Sequence, residues 1–174
     1  MIKLKEYTIP FSGLKQGKHA FEYEIENMFF ESFGYNEFNT AKVKLKAELN
    51  IISTMMELEI VANGIANINC DVTNEPFDQD IDTSIKLVVK FGEEYNDEND
   101  EILILPHRVN EINISQFIYE MLVLAIPTKR VHPGVLDGTL ESDALNKLEE
   151  LQPKETIDTK EDNDPRWDVL KKLI

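Results

Sequence analysis

One cysteine in 174 residues removes two stabilising devices at the outset. Disulfides need pairs of cysteines and a thiolate-rich zinc site needs two or more ligands close together, so Cys70 alone serves neither. A reduced, cytosolic setting follows, with a buried and inert thiol. Long apolar runs are missing too, since no stretch approaches the ~18 residues that a membrane-spanning helix requires. The start, Met1-Ile-Lys-Leu-Lys-Glu6, reaches an acidic residue before the apolar core of a secretory signal can form. The expectation is a cytoplasmic protein with no membrane partner. Basic residues are few, 18 Lys and Arg against 33 Asp and Glu, and the net charge is -15. That balance argues against a surface that grips nucleic acid throughout, because phosphate binding relies on Lys and Arg. The sequence also lacks a glycine-rich phosphate loop, a Gly-x-Ser-x-Gly elbow and a His-Glu-x-x-His pair. The acidic stretch Glu93 to Glu101 lacks the ligand spacing of a calcium loop and reads as solvated. No catalytic residue, cofactor or metal is expected.

What is present is an ordinary soluble composition, 42% hydrophobic and 29% charged. A chain of this length buries roughly 70% of its unfolded surface as one domain. The charge is unevenly spread. Residues 1–46 hold seven lysines and six glutamates, leaving 11 of the 18 basic and 27 of the 33 acidic residues for the remainder. Screening acts over about 8 Å at physiological salt, so a local basic face can work on an acidic protein.

Period-two alternation marks strands from Ile2 to Ile9 and from His19 to Ile25. Asn27 to Phe33 suits one or two helical turns closed by Gly34. The clearest strand is Ala41 to Leu49, with Val43, Leu45, Ala47 and Leu49 toward a core and Lys42, Lys44 and Lys46 toward water. Met55 to Ala62 and Ile65 to Val72 read as a hairpin around Asn63-Gly64. Ile81 to Phe91 follows as a further strand. The period then changes: Ile114, Phe117, Ile118, Met121, Leu122 and Ala125 have helical spacing, with Asn113 and Gln116 as a capping box and Pro127 as the stop. A second helix carries Ala144, Leu145, Leu148 and Leu151. The implied class is α+β, an antiparallel β meander or partly closed barrel followed by two or three helices. Residues 1–151 form the domain, 152–163 a polar acidic linker, and 164–174 a helix capped by Asp164 and Pro165.

Three clusters offer contacts. Lys42, Lys44 and Lys46 project from one strand face at about 7 Å intervals, a spacing that matches successive phosphates; a solubilising face is the alternative. Lys129 and Arg130 make a second small cationic cluster. Arg166, Trp167, Leu170 and Ile174 lie on the closing segment, which either caps the domain's own core or offers an aromatic anchor to a partner groove.

The ordered set Gly64, Cys70-Asp-Val-Thr-Asn-Glu-Pro-Phe77, the helix from Ile112 to Pro127, and Asp164-Pro-Arg-Trp167 with Leu170-Lys-Lys-Leu173 resembles the YceD family of bacteria. That resemblance implies a non-enzymatic factor in accumulation of large-subunit ribosomal RNA, with ribosomal RNA or a basic ribosomal protein as partner. Many members carry Cys-x-x-Cys where this chain has Cys70-Asp-Val-Thr73, and further cysteines later, so their zinc stapling cannot be carried over. Leucine packing in the last third is expected to replace it. A reading from a different class is an acidic interaction module that recruits its partner through the C-terminal Trp helix.

Overall fold

The computed structural model describes residues 4–99 and 101–151. It divides into two compact units, Met1–Leu140 and Glu141–Ile174. In the first, a short 3-10 turn at Lys5–Tyr7 leads into β1 (Thr8–Pro10), β2 (Gly17–Glu26), α1 (Asn27–Ser32), β3 (Thr40–Ile51), β4 (Met56–Asn69) and β5 (Pro76–Gly92). Then come β6 (Asn96–Asn99), β7 (Ile102–Pro106), β8 (Glu111–Asn113), α2 (Ser115–Leu124) and α3 (Pro133–Leu136). The second unit contributes α4 (Asp143–Leu151).

Six strands form one open sheet in the order β2-β3-β4-β5-β7-β6, while β1 and β8 pair as a separate ribbon. The α+β class is therefore the observed one, and the sheet remains unclosed. Its alternation sets two faces. Val43, Leu45, Ala47 and Leu49 of β3 join Leu58, Ile60, Ala62 and Ile68 of β4 and Leu87 and Val89 of β5 in the core. Ile9, Ile112, Ile118 and Leu122 cover them from the ribbon and α2. An aromatic cluster closes one end: Phe30 meets Phe38 edge-on at 4.7 Å, and Phe33 of the α1 C-cap stacks on Tyr119 of α2 at 4.5 Å. α1 itself ends as its composition suggests, with Gly34 at φ 73, where a side chain would be strained.

Four expectations need correction. The segment from Ile2 is not one strand, because within the described residues it begins with the 3-10 turn and only Thr8–Pro10 pairs, with β8. Asn63-Gly64 is not a hairpin turn either. β4 runs through it for 14 residues, paired on both sides. Glycine is there for close approach: a Cβ would lie 2.6 Å from Val43 Cα and would collide with the Lys42 carbonyl. The meander breaks at its far edge, where β7 inserts between β5 and β6 and runs parallel to β5, so the acidic loop supplies an edge strand. Finally, the capping box does not form. Asn113 Oδ1 accepts from the Ser115 N–H at 3.3 Å, but Gln116 Nε2 donates to Glu120 at 2.6 Å instead of turning back.

α4 has its leucines at helical spacing, yet none of its residues is buried, and Leu151 is 80% exposed. Leucine packing from this helix therefore does not close a core among the described residues.

The Gly64 contact predicts that Gly64→Ala lowers stability by roughly 1–3 kcal/mol, because the neighbouring backbone must move. Urea unfolding measures it; an unchanged midpoint would contradict the tight β3–β4 approach.

Candidate partner-binding surface

Because side chains alternate across a strand, the lysines of β3 share a face with the even-numbered residues of β2 and the odd-numbered residues of β4. Register completes the picture. Lys42 stands opposite Glu26, Lys44 opposite Glu24 and Lys46 opposite Glu22. Directly opposed side chains lie about 4.5–5.5 Å apart at Cβ, close enough for opposite charges to attract even in water. All six are exposed. None of the three lysines forms a close ion pair among the described residues, whereas Lys18 reaches Glu48 at 2.6 Å on the same strand pair. The lysine stripe is thus faced by a glutamate stripe of equal length.

On its other side the stripe meets neutral groups, Val61, Asn63 and Ile65 of β4. Beyond them β5 adds another acidic row, with Asp82 accepting from Asn63 Nδ2 at 2.6 Å and Asp78 from Asn67 Nδ2 at 2.7 Å. Asp80 lies between them, opposite Ile65. These rows hold three lysines and six carboxylates. A shallow depression of about 520 Å³ sits over Glu22, Glu24, Lys44, Lys46, Val61 and Asn63.

The second cationic cluster follows α2 and is differently built. Lys129 is exposed. Arg130 is tied inward: Nη1 donates to Glu37 at 3.0 Å, and Nε lies 3.3 Å from Asp71. The pairing extends to the backbone, since Arg130 N–H donates to Asp71 Oδ2 at 2.7 Å and Asp71 N–H donates to the Arg130 carbonyl at 2.7 Å. The guanidinium joins three chain segments, and its bonds to Glu37 hold it charged.

The same loop reaches Cys70, which is buried at 3% exposure. Its Sγ accepts from the His132 N–H at 3.3 Å and from the Val72 N–H at 3.4 Å. Burial pushes this thiol's pKa up. Hydrogen bonds from the Thr73 hydroxyl and from the His132, Thr73 and Val72 N–H groups outweigh it and bring the value from an ordinary 9.0 to about 7. His132 is committed as well, its Nδ1 accepting from the Gly134 N–H at 2.9 Å as the cap of α3. No group of three or more His, Cys, Asp or Glu side chains converges as a metal site among the described residues. Cys70 thus fastens the Arg130–Gly134 loop to the turn after β4.

The two cationic clusters remain separate features, one a sheet face and one a loop anchor. Arg166, Trp167, Leu170 and Ile174 lie outside the described residues. Reading by residue type overlooked Glu22, Glu24 and Glu26, although their period-two spacing matches that of the lysines. The Arg130 pairs span 93 and 59 residues in sequence, a separation that leaves no local signal.

Cys70 generates a pH prediction. Its value in the folded state is below that of an exposed thiol, so the thiolate stabilises the fold. That contribution is present above pH 9.0 and is lost as pH falls through about 7. The stability difference between the wild type and Cys70→Ala should therefore be larger at pH 9 than at pH 6, by up to about 2 kcal/mol. Equal differences at both pH values in urea titrations would contradict it.

No curated protein and no solved structure matches this chain. A family model does match over residues 58–174, under the description "Large ribosomal RNA subunit accumulation protein YceD". The matched span begins in β4, so the Lys42–Lys46 and Glu22–Glu26 rows precede it. It takes in the Cys70 turn, α2 and the Arg130 loop and extends over more than half of the sequence, and the chain belongs to the YceD family.

Proposed function

We propose that this protein is a non-enzymatic cytoplasmic factor that supports accumulation of large-subunit ribosomal RNA by engaging a basic ribosomal protein. Family membership supports the ribosomal direction. The single observation that selects the partner is the register of β2 against β3. Each of Lys42, Lys44 and Lys46 has a glutamate directly opposite, and another row of three aspartates lies across β4. An RNA strand approaching the lysines would meet twice as many carboxylates within a few strand widths. Spacing of the lysines matches phosphates, but their field does not, because a row of equal opposite charge largely cancels it beyond about one Debye length.

A basic polypeptide experiences the opposite balance. It is attracted by the overall charge of -15 and can form paired contacts with the glutamate and aspartate rows. Large-subunit RNA then accumulates because the bound ribosomal protein is delivered or protected at an early step.

Depletion of the protein followed by sedimentation of ribosomal particles tests the role. The expected result is a deficit of large subunits with precursor large-subunit RNA persisting; unchanged subunit ratios and RNA precursors would sink it. Binding to ribosomal RNA fragments, measured against salt, tests the choice of partner. Direct contact through three or four lysines would give a log-log slope of roughly -2 to -4. No such binding is expected at physiological salt, and the copurifying species should be a basic ribosomal protein.

A further inference from the structure

β2 is an edge strand. Its ten residues pair with β3 on one side, and among the described residues no other strand pairs with it. A long exposed edge presents a row of unpaired N–H and C=O groups, a template for another chain. Two depressions border it. One is the 520 Å³ hollow over Glu22 and Glu24. The other, of about 440 Å³, has Leu4, Tyr7 and Phe29 in its lining, with Glu6, Glu24, Glu26 and one cation, Lys5, around it. Met28, which also lines it, is 78% exposed. Phe21 and Tyr23, on the covered side of β2, are only half-buried.

The edge also carries a charge code. On the outer face Glu22, Glu24 and Glu26 stand at every second position. The protein already shows which neighbour suits them, because β3 sets a lysine opposite each one and apolar Val43 and Leu45 between them. A strand on the open side meets the same three carboxylates and the same apolar positions. A second copy fits poorly, since antiparallel pairing centred on this row opposes Glu24 to Glu24 and Glu22 to Glu26, and like charges directly opposite are destabilising.

We infer that the free edge of β2 is a docking site for an extended basic segment of another protein, added as a seventh strand with Lys or Arg at every second position. This deepens the proposed function and rests on its reading of a basic polypeptide partner. Backbone hydrogen bonds supply affinity, the glutamate row selects the cations, and the apolar floor beside Met28 receives the residues between them.

The test titrates the isotope-labelled full chain with a ten-residue peptide of alternating Lys and Val. Two derivatives carry N-methyl groups on one or the other set of alternate amides. Methyl groups on the amides that face β2 should weaken binding at least about tenfold through lost hydrogen bonds, while the other set binds as the parent does. Amide perturbations should concentrate in Gly17–Glu26. Equal binding by both methylated peptides, or perturbations centred on Asp78–Asp82, would overturn the edge site and leave a basic partner in place. Failure of all three peptides to bind would also overturn it, whereas the particle profile after depletion judges the ribosomal role separately.

Discussion

The pairing of β3 with its two neighbours is the constraint on which everything else depends. Val43, Leu45, Ala47 and Leu49 must be buried, and that fixes the parity of the strand. A slip of one residue would drive Lys42, Lys44 and Lys46 into the core, at a cost of several kcal/mol for each unpaired charge. The same parity holds β4 and β5 in place, because their apolar residues face the same side. Once the core residues are matched, the charged rows have no freedom left. Glu22, Glu24 and Glu26 must lie beside the lysines, and Asp78, Asp80 and Asp82 must lie on the same face beyond β4. The charged face is a by-product of how the core is registered.

Packing then turns this sheet into a scaffold with one covered and one open face. The aromatic cluster around Phe30 and Phe33 joins α1 to α2. Cys70, Asp71 and Arg130 join the loop after α2 to the turn after β4. These ties occupy the groups that carry most chemical potential in the sequence: the only thiol, a histidine and an arginine. What remains available on the sheet, among the described residues, is a pattern of charge and a β2 edge with no strand paired to it. Both suit the proposed recognition of a basic polypeptide.

Much of the sheet was legible from hydrophobic period alone. β3, the C-terminal half of β5, and the α1 and α2 helices follow from spacing within ten or so residues, the range over which sequence patterns carry information. The misreadings share a cause. Asn63-Gly64 has the local chemistry of a turn, yet Gly64 is present because Val43 passes close to it from another strand. The parallel β5–β7 pairing and the edge strand β6 depend on which strand inserts where, and a polar segment such as Asn96–Asn99 gives no alternation to signal it. The lysine row itself was readable as a stripe. Its electrostatic meaning was not, because the glutamates opposite lie about twenty residues away and only the register brings them together.

The central claim is that the β2 glutamates set what this face can bind. The most direct measurement compares binding of a large-subunit ribosomal RNA fragment by the wild type and by the triple variant Glu22→Gln, Glu24→Gln, Glu26→Gln at low salt. Removing three negative charges leaves the lysines unopposed on that side, so the account predicts that the variant gains RNA affinity at least about tenfold, with a salt slope steeper by roughly 2 to 3. Equal RNA affinity and equal salt slope in the two proteins would contradict it.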